Sequence, residues 1–149
     1  MLRKSFSGMI TFIVGMMFIG VLISSCEALN LFGISLSQSG THIFPSANVG
    51  YGQPTPLSIT VRNHSSGGTW YYVTIEGANA SSFAHNRSGL IHINGTYLAG
   101  TNESGSSRDT FSVWPKTGLS AGTYTATVVV TESQYSSQRE TFNISFTVN

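Results

Sequence analysis

The chain has 149 residues, with seven Lys/Arg against six Asp/Glu, and only 9% of its side chains are charged. This balance excludes the broad basic field that holds nucleic acid, so no nucleic-acid partner is expected. A single cysteine, Cys26, excludes an intramolecular disulfide, and any fold must rest on its apolar core.

The chain opens with Arg3 and Lys4, followed by residues 9–23 (MITFIVGMMFIGVLI), apolar except for Thr11 and two glycines. Small residues then close the segment at Ser24, Ser25 and Cys26. Charged, apolar, small is the order of a signal peptide, here an N-terminal signal helix over residues 1–25. The apolar run is shorter than the roughly 20 residues a spanning helix needs. Ile23-Ser24-Ser25-Cys26 resembles a bacterial lipobox. That resemblance implies cleavage before Cys26, lipid on its sulfur, and a protein held to the bacterial cell membrane or outer membrane through that lipid. An uncleaved anchor helix and cleavage elsewhere are the alternatives. Without Arg3 and Lys4 the side-chain balance becomes five basic against six acidic. Residues 26–33 read as a short tether, spanning at most about 3.5 Å per residue.

From Ile34 onward, apolar residues alternate with Ser, Thr and Asn, and turns interrupt them every few residues. Ile34 and Leu36 predict a first strand, and residues 42–44 a second, stopped by Pro45. Leu57, Ile59 and Val61 predict a third, and Tyr71, Val73 and Ile75 a fourth. Residues 90–93 form a short strand. Phe111 and Val113 mark the next; Tyr124, Ala126, Val128 and Val130 a long one; Phe142, Ile144, Phe146 and Val148 the last. Period two with Ser and Thr on the alternate positions is the pattern of half-buried antiparallel strands. Breakers at residues 50–56, 65–68, 104–107 and 120–122 agree. No helical period is sustained after Cys26. The fold class expected for residues 34–149 is therefore all-β: an immunoglobulin-like antiparallel β-sandwich of seven to eight strands. Phe111, Val113, Val128, Ile144 and Phe146 are its expected core.

Tyr124 begins a long strand just after Gly122. This resembles the tyrosine corner of immunoglobulin-like sandwiches, in which the hydroxyl bonds back to the preceding turn; an ordinary core tyrosine is the alternative. Residues 110–130 (TFSVWPKTGLSAGTYTATVVV), 77–83 (GANASSF), 142–149 (FNISFTVN) and 44–51 (FPSANVGY) resemble the Hydin-type and related bacterial immunoglobulin-like surface repeats. The resemblance covers about residues 34–149. It implies a spacer or binding platform of the kind found in tandem in lipoproteins, adhesins and cell-wall proteins. This chain departs from that pattern in carrying one copy.

Little in the sequence points to catalysis. His42, His64, His85 and His92 lack the spacing of a helical zinc site, and surface histidines are the expected reading. The single aspartate, Asp109, adjoins Arg108, and the glutamates fall on separate elements. No catalytic residue, metal or cofactor is expected, and the chain is not expected to be an enzyme. Asn-x-Ser/Thr triplets at Asn63, Asn79, Asn86, Asn94, Asn102 and Asn143 read as by-products of polar turns. The aromatic residues are more informative. If Tyr71, Val73 and Ile75 point inward, Trp70 and Tyr72 point outward, on a sheet face shared with Thr125, Thr127, Asn143 and Ser145. Trp70 and Tyr72 are the candidate contact face for a carbohydrate or a protein partner; rings that cover a neighbouring loop, or a strand in the opposite register, are the structural alternative. The expected function is a non-catalytic, lipid-anchored envelope module for protein–protein contact or surface architecture, the alternative being a carbohydrate-binding or adhesive module.

Overall fold

Alternation of apolar and hydroxyl side chains sorts the described residues into nine strands that bury one face each. The computed structural model describes residues 33–95, 107–133 and 138–149. The expected signal peptide, Cys26 and the tether up to Phe32 lie outside the described residues. The strands are β1 (Ile34–Leu36), β2 (Thr41–Ile43), β3 (Leu57–Asn63), β4 (Thr69–Glu76), β5 (Phe83–His85), β6 (Ile91–Ile93), β7 (Arg108–Pro115), β8 (Gly122–Glu132) and β9 (Arg139–Val148). One 3-10 turn, Ala80–Ser82, precedes β5.

They form two sheets, a four-stranded one in the order β1-β3-β7-β5 and a five-stranded one in the order β2-β9-β8-β4-β6. Each sheet is bordered on both sides by a strand of three residues. The fold is the expected β-sandwich, with two differences of detail. Nine strands are present among the described residues where seven to eight were expected, because β5 was not foreseen. One pairing is parallel: β2 runs alongside β9, with His42 opposite Ile144. Gly40 makes the crossover from β1 to β2 at a φ of 66°, a left-handed conformation that a side chain disfavours. The chain beyond β2 continues along β9 as Phe44, Ala47 and Val49 donate to the carbonyls of Ser145, Thr147 and Asn149.

Between the sheets lie Ile59, Val61, Phe111 and Val113 from one side and Tyr71, Val128, Val130, Ile144 and Phe146 from the other, all without exposed surface. The five expected core residues are among them. Tyr51 caps the cluster edge-on, its ring 5.2 Å from that of Phe146, and donates its hydroxyl to the carbonyl of Lys116 at 2.6 Å. The tyrosine corner is present as well: Tyr124 donates to the carbonyl of Ser120 at 2.9 Å.

Candidate contact face

The pleat of β4 turns Tyr71 and Val73 into the core and leaves Trp70 and Tyr72 outside, 43% and 38% exposed. Antiparallel pairing puts His92 of β6 directly opposite Trp70, and the two rings stand 4.8 Å apart. Leu90, just before β6, is 57% exposed, and the same register carried one step further sets it opposite Tyr72. The His92 ring also leans on the loop between β3 and β4. A Cβ added to Gly68 would stand 2.6 Å from its Nε2, so glycine leaves room for the ring. The outcome is a small apolar patch of two aromatic rings, a leucine and an imidazole.

The rest of that outer face is largely polar, apart from Ile43 of β2, which stands opposite Ser145 and is 73% exposed. Thr127 donates to Asn143 Oδ1 at 3.0 Å, and the backbone N–H of Thr125 donates to Asn79 Oδ1 at 3.1 Å. A shallow hollow of about 400 Å³ opens here, lined by Thr41, Gly77, Ala78, Thr125, Thr127, Asn143 and Ser145 with the β8–β9 backbone beneath. Between hollow and aromatic patch, Arg139 of β9 reaches Glu76 of β4 at 2.8 Å, crossing the intervening β8. Val129, whose parity points it outward, has no exposed surface. The sequence pattern suggests one continuous aromatic and hydroxyl-rich surface; the structure divides it. Tyr72 lies opposite Thr131 whereas the hollow reaches Thr127, a separation of about 13 Å along the strand.

Several polar groups of the interior are engaged structurally, although Glu132 keeps its Oε2 buried without a hydrogen bond. Tyr71 donates to Asp109 Oδ2 at 3.1 Å across the two sheets, and Asp109 also pairs with Arg87 at 2.5 Å. Arg87 is thus an ion-pair partner of the aspartate. Burial, then the Asp109 charge and hydrogen bond, raise the Tyr71 phenol above its usual range. Thr69 donates to Glu132 Oε1 in a buried contact. Asn63, fully buried, donates to the carbonyls of Gly67 and Asn94, fastening the β3–β4 loop to the end of β6. Its amide is committed inside the fold, which accounts for the Asn63 triplet without a glycan. The histidines divide. His92 is exposed, but His85 sits in β5 with its Nδ1 buried and unbonded, and burial lowers its pKa. His85 is thus a correction to the surface reading. Ser35 Oγ lies 2.7 Å from His64 Nε2, while the chain's single aspartate is held by Tyr71 and Arg87. Among the described residues, no three His, Cys, Asp or Glu side chains group to hold a metal ion.

The aromatic patch and the point of chain entry share one pole of the sandwich. Gly33 accepts from the His64 N–H at 2.9 Å and donates to Ser65 Oγ at 3.1 Å. These are loop residues between β3 and β4, and Trp70 is the second residue of β4. No sequence signal could have revealed this adjacency, which depends on the β1–β3 pairing.

No family model matches this chain, and no curated protein matches it by sequence. Solved structures do. The ASH/PapD-like domain (PapD-like domain 7) of human CEP192 superposes with a TM-score of 0.53 at 10% identity, over 79% of this chain and 86% of that one. The periplasmic chaperone SfaE superposes with a TM-score of 0.52 at 14% identity, over 78% of this chain and 57% of the chaperone. At such identities the likeness concerns the fold alone: an immunoglobulin-like β-sandwich of the kind seen in PapD-like domains.

Proposed function

We propose that this chain is an exported, non-catalytic lipoprotein of the bacterial cell envelope, held by acyl chains on Cys26 and working through contact or surface architecture. The order of charge, apolar run and small residues before Cys26 supports the anchor. The resemblance to Hydin-type surface repeats supports a role in contact. The observation that carries the reading is the pair Trp70 and Tyr72, 43% and 38% exposed together on the outer sheet face. Burying such rings against a partner is favourable, and aromatic anchors of this kind dominate interface energetics.

A lipid-anchored carbohydrate-binding module is the second reading. The hollow lined by Thr41, Thr125, Thr127, Asn143 and Ser145 favours it, because hydroxyl and amide groups there face outward together. Mass spectrometry of the mature N-terminus and photo-crosslinking from position 72 in intact cells test the leading reading. A diacylglyceryl Cys26 and a crosslink to an envelope component are expected. Unmodified Cys26 in membrane-bound protein overturns the anchor. A glycan array answered by the native chain but not by Asn143→Ala favours the second reading.

A further inference from the structure

We infer that the partner of the Trp70–Tyr72 patch is the lipid surface that carries the anchor, so that the domain rests its β4–β6 corner on the bilayer. The inference rests on the lipoprotein reading, and its remaining steps are geometric. Gly33 docks on the β3–β4 loop at His64 and Ser65. Only residues 27–32 separate Cys26 from the docked Gly33, a reach of about 25 Å at full extension. The pole bearing the loop is therefore confined near the headgroups. Trp70 follows this loop by two residues, and His92 bridges from Trp70 to Gly68 of the loop itself. The hydroxyl-lined hollow lies farther along the same face, away from the dock.

The composition of the patch suits a lipid interface. Trp and Tyr present an apolar ring with one polar hydrogen-bonding group, the character that concentrates them at headgroup depth. Leu90 adds an aliphatic side chain beside Tyr72. Two rings and a leucine make a weak site for a partner arriving from solution. A short tether changes that, because the contact becomes intramolecular and the effective concentration of the surface is in the millimolar range. No large or strongly charged patch is then needed.

Trp114 provides an internal control. It lies on β7, six residues beyond Arg108, and so about 20 Å from the tethered pole, on the other sheet. The test uses the full chain matured in a bacterial host and reconstituted in phosphatidylethanolamine–phosphatidylglycerol vesicles containing lipid brominated near the headgroup. Trp114→Phe isolates Trp70, and Trp70→Phe isolates Trp114. Trp70 emission is expected to shift to the blue on reconstitution and to be lost to the brominated lipid, while Trp114 emission is unchanged. If Trp114→Phe fails to fold, the quenchable fraction of the native chain against Trp70→Phe answers the same question. An unquenched Trp70 in a chain whose Cys26 is shown by mass spectrometry to be acylated overturns the inference and leaves the anchor intact. A crosslink from position 72 to a protein, with Trp70 unquenched, assigns the patch to that protein instead. Unmodified Cys26 removes the anchor and the inference together.

Discussion

Tyr71 and Asp109 join the two sheets by one hydrogen bond, 3.1 Å from the β4 hydroxyl to the β7 carboxylate. Arg87 closes the group by donating to the same carboxylate and to the carbonyl of Thr110. In a sandwich with no disulfide, this clasp supplies a specific link between sheets whose shared core is mostly apolar. Asp109→Ala leaves Arg87 without its partner and is expected to destabilise the fold by about 2 kcal/mol; Tyr71→Phe removes one bond and costs about 1 kcal/mol. Urea denaturation checks both. Equal stability of Asp109→Ala and the native chain would show the clasp to be incidental.

His85 makes stability depend on mild acid. Burial favours its neutral ring and holds its pKa below the ordinary 6.5. The unfolded chain takes up that proton first as pH falls through about 6.5, so stability is present above this value and lost below it. His85→Gln is expected to flatten the urea midpoint between about pH 7 and pH 5. A variant with the same slope as the native chain would place the sensitivity elsewhere.

Phe111 and Phe146 face each other's sheets with no exposed surface. Replacing either by Ala is expected to cost about 3–5 kcal/mol through lost burial and the cavity left behind. That is a large part of the stability of an ordinary domain, so the variants should melt far lower in calorimetry or not accumulate at all. A small change in melting temperature would contradict the described packing.

Tyr124→Phe keeps the ring and removes only its bond to the Ser120 carbonyl. The expected loss is about 1 kcal/mol, read as a lower thermal midpoint with an unchanged circular dichroism spectrum. A variant as stable as the native chain would mean the hydroxyl is equally well served by water.

Trp70 and Tyr72 are expected to behave in the opposite way to Phe111 and Phe146. Because their rings lie outside, Trp70→Ala and Tyr72→Ala should change stability by no more than about 0.5 kcal/mol while weakening the proposed contact. A sharp fall in melting temperature would make these rings structural.

The core was legible because period two in β3, β4, β7, β8 and β9 carries enough repeats to fix which face is buried. Residues Phe111 and Ile144 needed no tertiary information. β5 was not legible: Phe83, Ala84 and His85 offer too few alternations, and pairing with Trp114 and its neighbours is what extends them. The parallel β2–β9 pair was hidden for a similar reason, since a three-residue strand does not encode its partner. Outward placement of Trp70 followed from parity. Its neighbours did not, because His92, Gly68 and the Gly33 dock meet only through pairings distant in sequence. Val129 is the clearest limit. Parity turns it outward correctly, but whether an outward position is wet depends on what crosses above it.

The four three-residue border strands have a consequence for molecules standing side by side. β1, β5 and β6 each offer little unpaired backbone for a neighbouring copy to template on, while β2 is lengthened along β9 by residues 44–49. Copies confined to a plane would meet far more often than copies in solution, and a long open border would convert those encounters into ribbons. With three of the four border strands this short, crowding of anchored copies would raise collision frequency without a matching gain in strand-to-strand adhesion, so a dense lawn of such domains would remain a two-dimensional fluid.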